Sequence, residues 1–300
     1  MQIEEMNERF AIPGIAELVA GNWGLAKVRI TAPGASGEIY LHGAQVMSWR
    51  PAGVEEVIFV SEHSHWEDGR AIRGGIPVCF PWFRGKADDP KAPAHGVVRT
   101  RAWTLESITL ENDASVAVVC VTESDESTRR WWPHDFRLTH RITMGRTLRM
   151  ELTATNTGSS AFRFEEALHT YFRVGDVERV EVSGLSGVAY LDNMEGNREK
   201  VHAGKLAVSG PIDSAYLNAT GPAEIVDPVK GRKLLTQKEN SATTVVWNPW
   251  GEGAARLADL GDQEWHLMLC VEGANILGAA ISLGPGESHS MRVTLSRTDI

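Results

Sequence analysis

The chain has 300 residues, of which 42% are hydrophobic and 23% charged, the balance of a soluble globular protein rather than a disordered one. Its net charge of −9 argues against general nucleic-acid binding, which needs a basic face, but leaves room for an anionic small molecule held by a few clustered arginines. No run approaches the ~20 apolar residues of a membrane span. The three cysteines, Cys79, Cys120 and Cys270, give no CxxC pair and no disulfide framework.

Met1 to Arg9 is acidic where a secretory signal would start basic and run on apolar, so a cytoplasmic home is expected. Residues 1–24 read as a loosely attached lead-in with one short helix over 14–19. From Lys27, short runs of β-branched or alternating residues recur between Gly, Pro, Asn and Asp. Strands are expected over 28–31, 38–49, 57–60, 103–109 and 116–122. Strands over 136–144 and 147–155 follow, joined at Gly145-Arg146 as a hairpin. In the second, Leu148, Met150, Leu152 and Ala154 form an apolar face, and Arg149, Glu151, Thr153 and Thr155 a polar one. That is the pattern of an antiparallel sheet with one wet side. Further strands are expected over 162–174, 179–182, 223–226, 243–247, 265–271 and 290–295. A 3.6-residue apolar stripe does not recur, so helices are few and short. Many short strands with regular turn signals, and no low-complexity linker, point to an all-β fold, one large antiparallel domain over 1–300.

The first stretch with chemical character is Arg73-Gly74-Gly75-Ile76-Pro77-Val78-Cys79-Phe80-Pro81-Trp82-Phe83. Two glycines after an arginine let the backbone turn tightly or approach a ligand, and two prolines then fix an extended path. Rigid loops on β scaffolds are where sites tend to lie, although Arg73 serves a structural salt bridge equally well. In Ala94-His95-Gly96-Val97-Val98-Arg99, His95 and Arg99 share a face if the segment is an extended strand. Together they suit hydroxyl and phosphate oxygens, because a guanidinium donates two hydrogen bonds at once; a solvated arginine is the plain alternative. Trp131-Trp132-Pro133-His134-Asp135 reads as packing at a strand entrance. Trp247-Asn248-Pro249-Trp250 reads as a strand end whose indoles either stack on a sugar or fill the core.

Ala167-Leu168-His169-Thr170-Tyr171-Phe172-Arg173 has strand composition and stops at Gly175-Asp176. Counted by twos, His169 shares a face with Glu165 and Tyr171. A histidine held rigidly among carboxylates suits proton donation near neutrality. A buried hydrogen bond accounts for it as well, and spacing alone favours that role. Glu272 closes the apolar run Met268-Leu269-Cys270-Val271 before Gly273, which places it at the rim of a sheet. Partial burial there raises its proton affinity and makes it a stronger base, yet taken alone it is an ordinary strand-end acid. His63-Ser64-His65 has metal-ligand spacing without a third ligand, so no metal is expected. No nucleophile elbow, Walker loop or dinucleotide fingerprint occurs.

Six pieces occur in a recognisable order: Arg73-Gly74-Gly75-Ile76-Pro77, Ala94-His95-Gly96-Val97-Val98-Arg99, Trp132-Pro133-His134-Asp135, Leu168-His169-Thr170-Tyr171-Phe172, Val245-Val246-Trp247-Asn248-Pro249-Trp250 and Cys270-Val271-Glu272. On these the chain resembles the hexose-6-phosphate mutarotases, or glucose-6-phosphate 1-epimerases, of the galactose-mutarotase-like superfamily, over about 43–284. The resemblance implies a large β-sandwich with a cleft on one concave sheet. It implies His169 as general acid, Glu272 as general base, Arg73 and Arg99 as substrate-binding arginines, His95 as a pocket histidine and Asp213 as a sugar-contacting aspartate. The implied reaction interconverts the α and β anomers of a hexose phosphate by ring opening and closure. No cofactor, nucleic acid or membrane is implied, and a monomer is expected. Two positions depart from the pattern. Ala94 stands where some members carry glutamine, and Gly273 follows the base where others have a bulkier residue, which would loosen Glu272.

Two rivals share these residues. A glycoside hydrolase would pair Glu272 with Glu165 or Glu166. A non-catalytic carbohydrate-binding protein would use the same fold without chemistry.

Overall fold

The computed structural model describes residues 2–300. A nine-stranded antiparallel sheet runs in space through Leu206–Ala207, Glu181–Ser183, Ala223–Asp227, Arg232–Glu239, Ser288–Asp299, Leu148–Asn156, Phe136–Met144, Val116–Glu123 and Thr104–Leu110. Packed against it is an eight-stranded sheet, here the site sheet. Its order is Arg198–Val201, Ala189–Asp192, Ile212–Tyr216, Thr243–Asn248, Met268–Asn275, Glu166–Leu168 and Val78–Cys79, with Tyr171–Arg173 also paired to Met268–Asn275. A four-stranded sheet, Ala16–Ala20, Ala26–Ala32, Ala35–Tyr40 and Gln45–Pro51, completes the N-terminal side.

The main core forms where inward-facing rows of the two large sheets meet. Leu269 and Val271 of the site sheet share one buried cluster with Met291, Val293, Leu295, Met150 and Leu152 of the other. The expected hairpin is present: Met144 pairs with Leu148, and the apolar face read from 147–155 is the buried one. The all-β antiparallel sandwich thus follows from period-two alternation.

Local differences have physical causes. No helix lies over 14–19; Ala16–Ala20 is a strand, with Ala16 and Leu18 buried. The helix is Ile3–Phe10, whose Met6 and Phe10 are buried at helical spacing. Asn7 ties it down: its amide donates to Leu18 O (2.8 Å) and its oxygen accepts from Leu18 N–H (2.7 Å). The run 38–49 is two strands, broken by a turn in which Gly43 and Ala44 take positive φ (71° and 46°). The run 162–174 is three short strands, Phe162–Phe164, Glu166–Leu168 and Tyr171–Arg173.

Candidate active site

The two faces of the site sheet differ in residue size. Along Met268–Asn275, Leu269, Val271 and Gly273 alternate with Cys270, Glu272 and Ala274. The first set faces the main core. The second lies on the outer face, where Ala274 clusters with the small residues Cys79, Ala167 and Ala215 and with Val245, leaving space above the backbones. Direct partners in an antiparallel ladder share a face. Ala215 pairs with Val245 and Val245 with Glu272; one pleat along, Asp213 pairs with Trp247 and Trp247 with Cys270. On the other side of the strand, Leu168 pairs with Gly273 and Tyr171 with Cys270. The same register carried across the intervening break sets His169 opposite Glu272.

The break itself fixes His169. Its backbone N–H points away from the strand of Glu272 and extends the pairing with Val78–Cys79 by one residue, donating to Pro77 O (2.9 Å). Its ring stacks on Tyr171, centroids 4.8 Å apart and planes 12° from parallel. His169 Nδ1 lies 3.3 Å from Glu272 Oε1. His169 is 6% exposed and Glu272 not at all, yet neither Nδ1 nor either Glu272 oxygen has an aligned hydrogen-bond partner. Burial raises the Glu272 pKa well above the usual carboxylate range; Asp213 adds to this, while Arg84 and Arg99 oppose it. Burial likewise pushes His169 well below an ordinary imidazole, and Arg99 and Arg73 push it further. Both shifts thus act in one direction, favouring the proton on Glu272 over the imidazole.

Loops bring the remaining groups over this face. Arg73 Nη1 donates to the Tyr171 hydroxyl (3.1 Å), and its Nε and Nη2 donate to Asp259 Oδ1 (3.2 and 3.1 Å). Gly74 follows at φ +105°, where a Cβ would lie 2.5 Å from Phe59 O, so only glycine lets Arg73 enter here. Residues 93–99 form a turn rather than the expected strand. His95 has φ 63° and Gly96 φ +81°, and a Cβ on Gly96 would lie 1.8 Å from Phe80 O. His95 N–H donates to Arg84 O (2.7 Å), and Arg84 N–H donates back to His95 Nδ1 (3.3 Å). With Nδ1 accepting, the ring proton sits on Nε2. Burial, helped by Arg99, keeps His95 neutral. Arg99 Nη2 donates to Ala94 O (3.0 Å), and its Nε is buried without a partner.

All six residues singled out in the sequence, Arg73, His95, Arg99, His169, Asp213 and Glu272, line one cavity of about 260 Å³. Phe83, Arg84, Ala94, Val245, Trp247 and Leu257 complete its wall. Arg84 was missed. It directly follows the aromatic run ending at Phe83, and it forms an ion pair with Asp213, whose other oxygen accepts from Asn193 Nδ2 (2.7 Å). Asp259, the anchor of Arg73, sits in a loop with no motif to betray it. Glu272 is not at a sheet rim but inside the central strand Met268–Asn275. Glu165 and Glu166 do not line the cavity. Glu165 accepts from the backbone of Phe83 (2.9 Å) and Leu277 (2.6 Å), and Glu166 binds Asn275 (2.8 Å) and His289 (3.1 Å). A wider groove of about 420 Å³ lies on the N-terminal sheet, but its Lys27–Glu38 and Arg50–Glu56 charges are already paired.

Two clusters of ligand-type side chains stand out, each with atoms within 4.8 Å of one another: His169, Cys270 and Glu272 in the cavity, and Asp176, Glu178 and His266 near the surface. Among the described residues His63 and His65 belong to neither set.

The aldose 1-epimerase family profile matches residues 26–296. This chain belongs to the aldose 1-epimerase family. A protein of Cenchrus ciliaris with the provisional name glucose-6-phosphate 1-epimerase is 35% identical over 291 residues, covering 94% of this chain and 87% of its own. An Escherichia coli K12 protein with the same provisional name is 36% identical over 243 residues, covering 81% and 80%. The crystal structure of a provisionally named mutarotase from Salmonella typhimurium matches with a TM-score of 0.90 and 29% identity, over 97% of this chain and 96% of that one. This epimerase fold thus accounts for the sandwich. No described helix is long and apolar enough to cross a membrane.

Proposed function

We propose that this chain interconverts the α and β anomers of hexose 6-phosphates, acting as a glucose-6-phosphate 1-epimerase. The observation that carries this reading is the buried His169–Glu272 pair, 3.3 Å apart in a ligand-sized cavity and without aligned partners. Leaving buried polar groups unpaired costs stability, so the pair is kept for a ligand that supplies the missing bonds. The anomeric hydroxyl and the ring oxygen are both attached to C1. An acid and a base acting on them must therefore stand side by side, as residues on neighbouring strands do.

Glu272 takes the proton of the anomeric hydroxyl while His169 gives one to the ring oxygen, and the C1–O5 bond opens to the aldehyde. Rotation about C1–C2 followed by the reverse transfers closes the other anomer. Each positioned group contributes about 10²–10⁴ in rate. Arg99 and Arg73 receive the phosphate, their planar forks matching its oxygens. His95 Nε2–H and Asp213 orient hydroxyls. No electrons or groups leave the sugar, so the chemistry calls for no cofactor. The names of the two relatives support the 6-phosphate. We read the whole chain as one domain, a cytoplasmic monomer with no nucleic-acid partner, in keeping with its net charge of −9.

The hydrolase rival lacks its second carboxylate, since Glu165 and Glu166 are engaged elsewhere. A simple binding protein has no use for an unpaired buried acid and base. Exchange NMR on the anomers of glucose 6-phosphate tests the proposal. Exchange is expected to rise in proportion to added protein, and a rate unchanged by folded protein overturns it.

A further inference from the structure

The reaction needs the proton on His169 and a carboxylate at Glu272, whereas burial and the arginines beside the ring favour the opposite arrangement. The groups around the imidazole indicate what moves it. Glu272 and Cys270 face it from the neighbouring strand, Tyr171 from its own segment, and Arg73, His95 and Arg99 from the loops. Burial keeps the proton on the Cys270 thiol and the Tyr171 hydroxyl, and His95 is neutral, so the arginines are the cations beside the ring. Farther along the wall, Asp213 compensates Arg84, and Asp259 compensates Arg73. Among the described residues Arg99 has no carboxylate partner; it has one carbonyl and a buried Nε with nothing to bond. Arg73 reaches the imidazole through the Tyr171 hydroxyl and the ring stacked on His169.

We infer that the substrate's phosphate is the switch for the acid as well as an anchor: seated on Arg99 and Arg73, it cancels the positive charge beside His169 and lets the proton of the pair pass from Glu272 to the imidazole. This rests on the epimerase reading of the site. The transfer is balanced within the pair, because the proton gained by His169 leaves behind the carboxylate that serves as base. It is also selective. After burial, His169 answers to Arg99 and Arg73, whereas Glu272 answers to Asp213 and Arg84 before Arg99 and not to Arg73. Neutralising Arg99 and Arg73 thus favours the imidazole over the carboxyl. A phosphate that is not attached to the sugar does the same work, so inorganic phosphate activates the epimerisation of free glucose.

The test begins with the protein and inorganic phosphate alone, following the imidazole ¹⁵N resonances, with His169 identified by their loss in His169→Gln. Saturating phosphate is expected to raise the proton affinity of His169 by about tenfold or more. Arg99→Gln is expected to abolish that response and, with the cation gone, to start from a higher proton affinity than the parent. Arg99→Lys keeps the charge and keeps the response. In exchange NMR on free glucose, saturating phosphate is expected to accelerate anomer exchange about tenfold. Phosphate that binds without moving His169, that fails to bind, or that only inhibits glucose exchange overturns the switch. If glucose 6-phosphate is epimerised while these responses are absent, the switch falls and the function stands. If His169 responds but glucose 6-phosphate is not epimerised, the function falls and the electrostatic coupling stands.

Discussion

Gly273 and Val293 meet through the space that a side chain would fill: a Cβ on Gly273 would lie 2.6 Å from Val293 Cγ2, with Lys238 Cδ at 3.2 Å. The glycine beside the proposed base therefore does not loosen Glu272. It lets the second sheet close up directly behind it, and Glu272 is fully buried. Gly273→Ala overpacks this contact and is expected to cost about 1–3 kcal/mol in urea unfolding. It should also lower epimerisation, because the strand carrying Glu272 must shift. Adding Val293→Ala removes the clashing methyl groups and is expected to restore part of both losses. A double variant no better than the single one would show that Val293 is not the obstacle.

His169→Gln and Glu272→Gln are each expected to reduce anomer exchange by about 10²–10⁴, with the fold intact by circular dichroism. If the two act on one sugar in one proton exchange, as proposed, the double variant should lose far less than the product of the single losses. Full multiplicative losses, read by exchange NMR, would mean that the two side chains work independently.

The parts of this molecule legible in its sequence are those where local pattern and tertiary environment agree. Phe136–Met144 alternates cleanly into a hairpin and lies where the pattern puts it. Arg232–Glu239 and Ile212–Tyr216 escaped notice because charged and polar side chains occupy their inward or half-buried positions, obscuring the period. The residues of the site were nameable through motifs, yet their convergence was not. His169 faces Glu272 only because a ladder register, interrupted at one point, joins segments far apart in the chain. Glu272 was misplaced at a rim because Gly273 reads as a turn, when its role is close packing between sheets. His95 and Arg99 both line the cavity, but through a left-handed turn and not through the shared strand face that a count by twos suggests.

His140 supplies a prediction away from the cavity. It is fully buried, its Nδ1 donates to Ala44 O (3.1 Å), and burial lowers its pKa from 6.5 to about 4. The folded state thus resists a proton that the unfolded chain accepts. The stability is intact above pH ~6.5 and is lost as the pH falls towards the folded value of about 4, by on the order of 3 kcal/mol in total. His140→Leu forfeits the bond to Ala44, about 1 kcal/mol near neutrality, but should lose less stability than the parent between pH ~7 and ~4.5. Equal acid losses in urea titrations of the two proteins would rule out His140 as the source.

Asp213 and Arg84 form an ion pair, yet they act on Glu272 with opposite sign: after burial, Asp213 raises its pKa and Arg84 lowers it. The proposed catalytic pair is expected to titrate in two macroscopic steps, and in the proposed mechanism only the singly protonated form is active. With Glu272 raised and His169 lowered, the upper step, the alkaline limb of kcat/KM, belongs mainly to Glu272. Asp213→Asn removes the raising charge and leaves Arg84 uncompensated, so the alkaline limb should move to lower pH. Arg84→Gln does the converse, and the limb should move up. Both variants are expected to lower the maximal rate, since both residues line the cavity, but the position of the limb does not depend on its height. The opposite displacements distinguish an electrostatic effect on Glu272 from simple loss of substrate contacts. Limbs that move together, or stay fixed, would mean that Glu272 does not set the upper step.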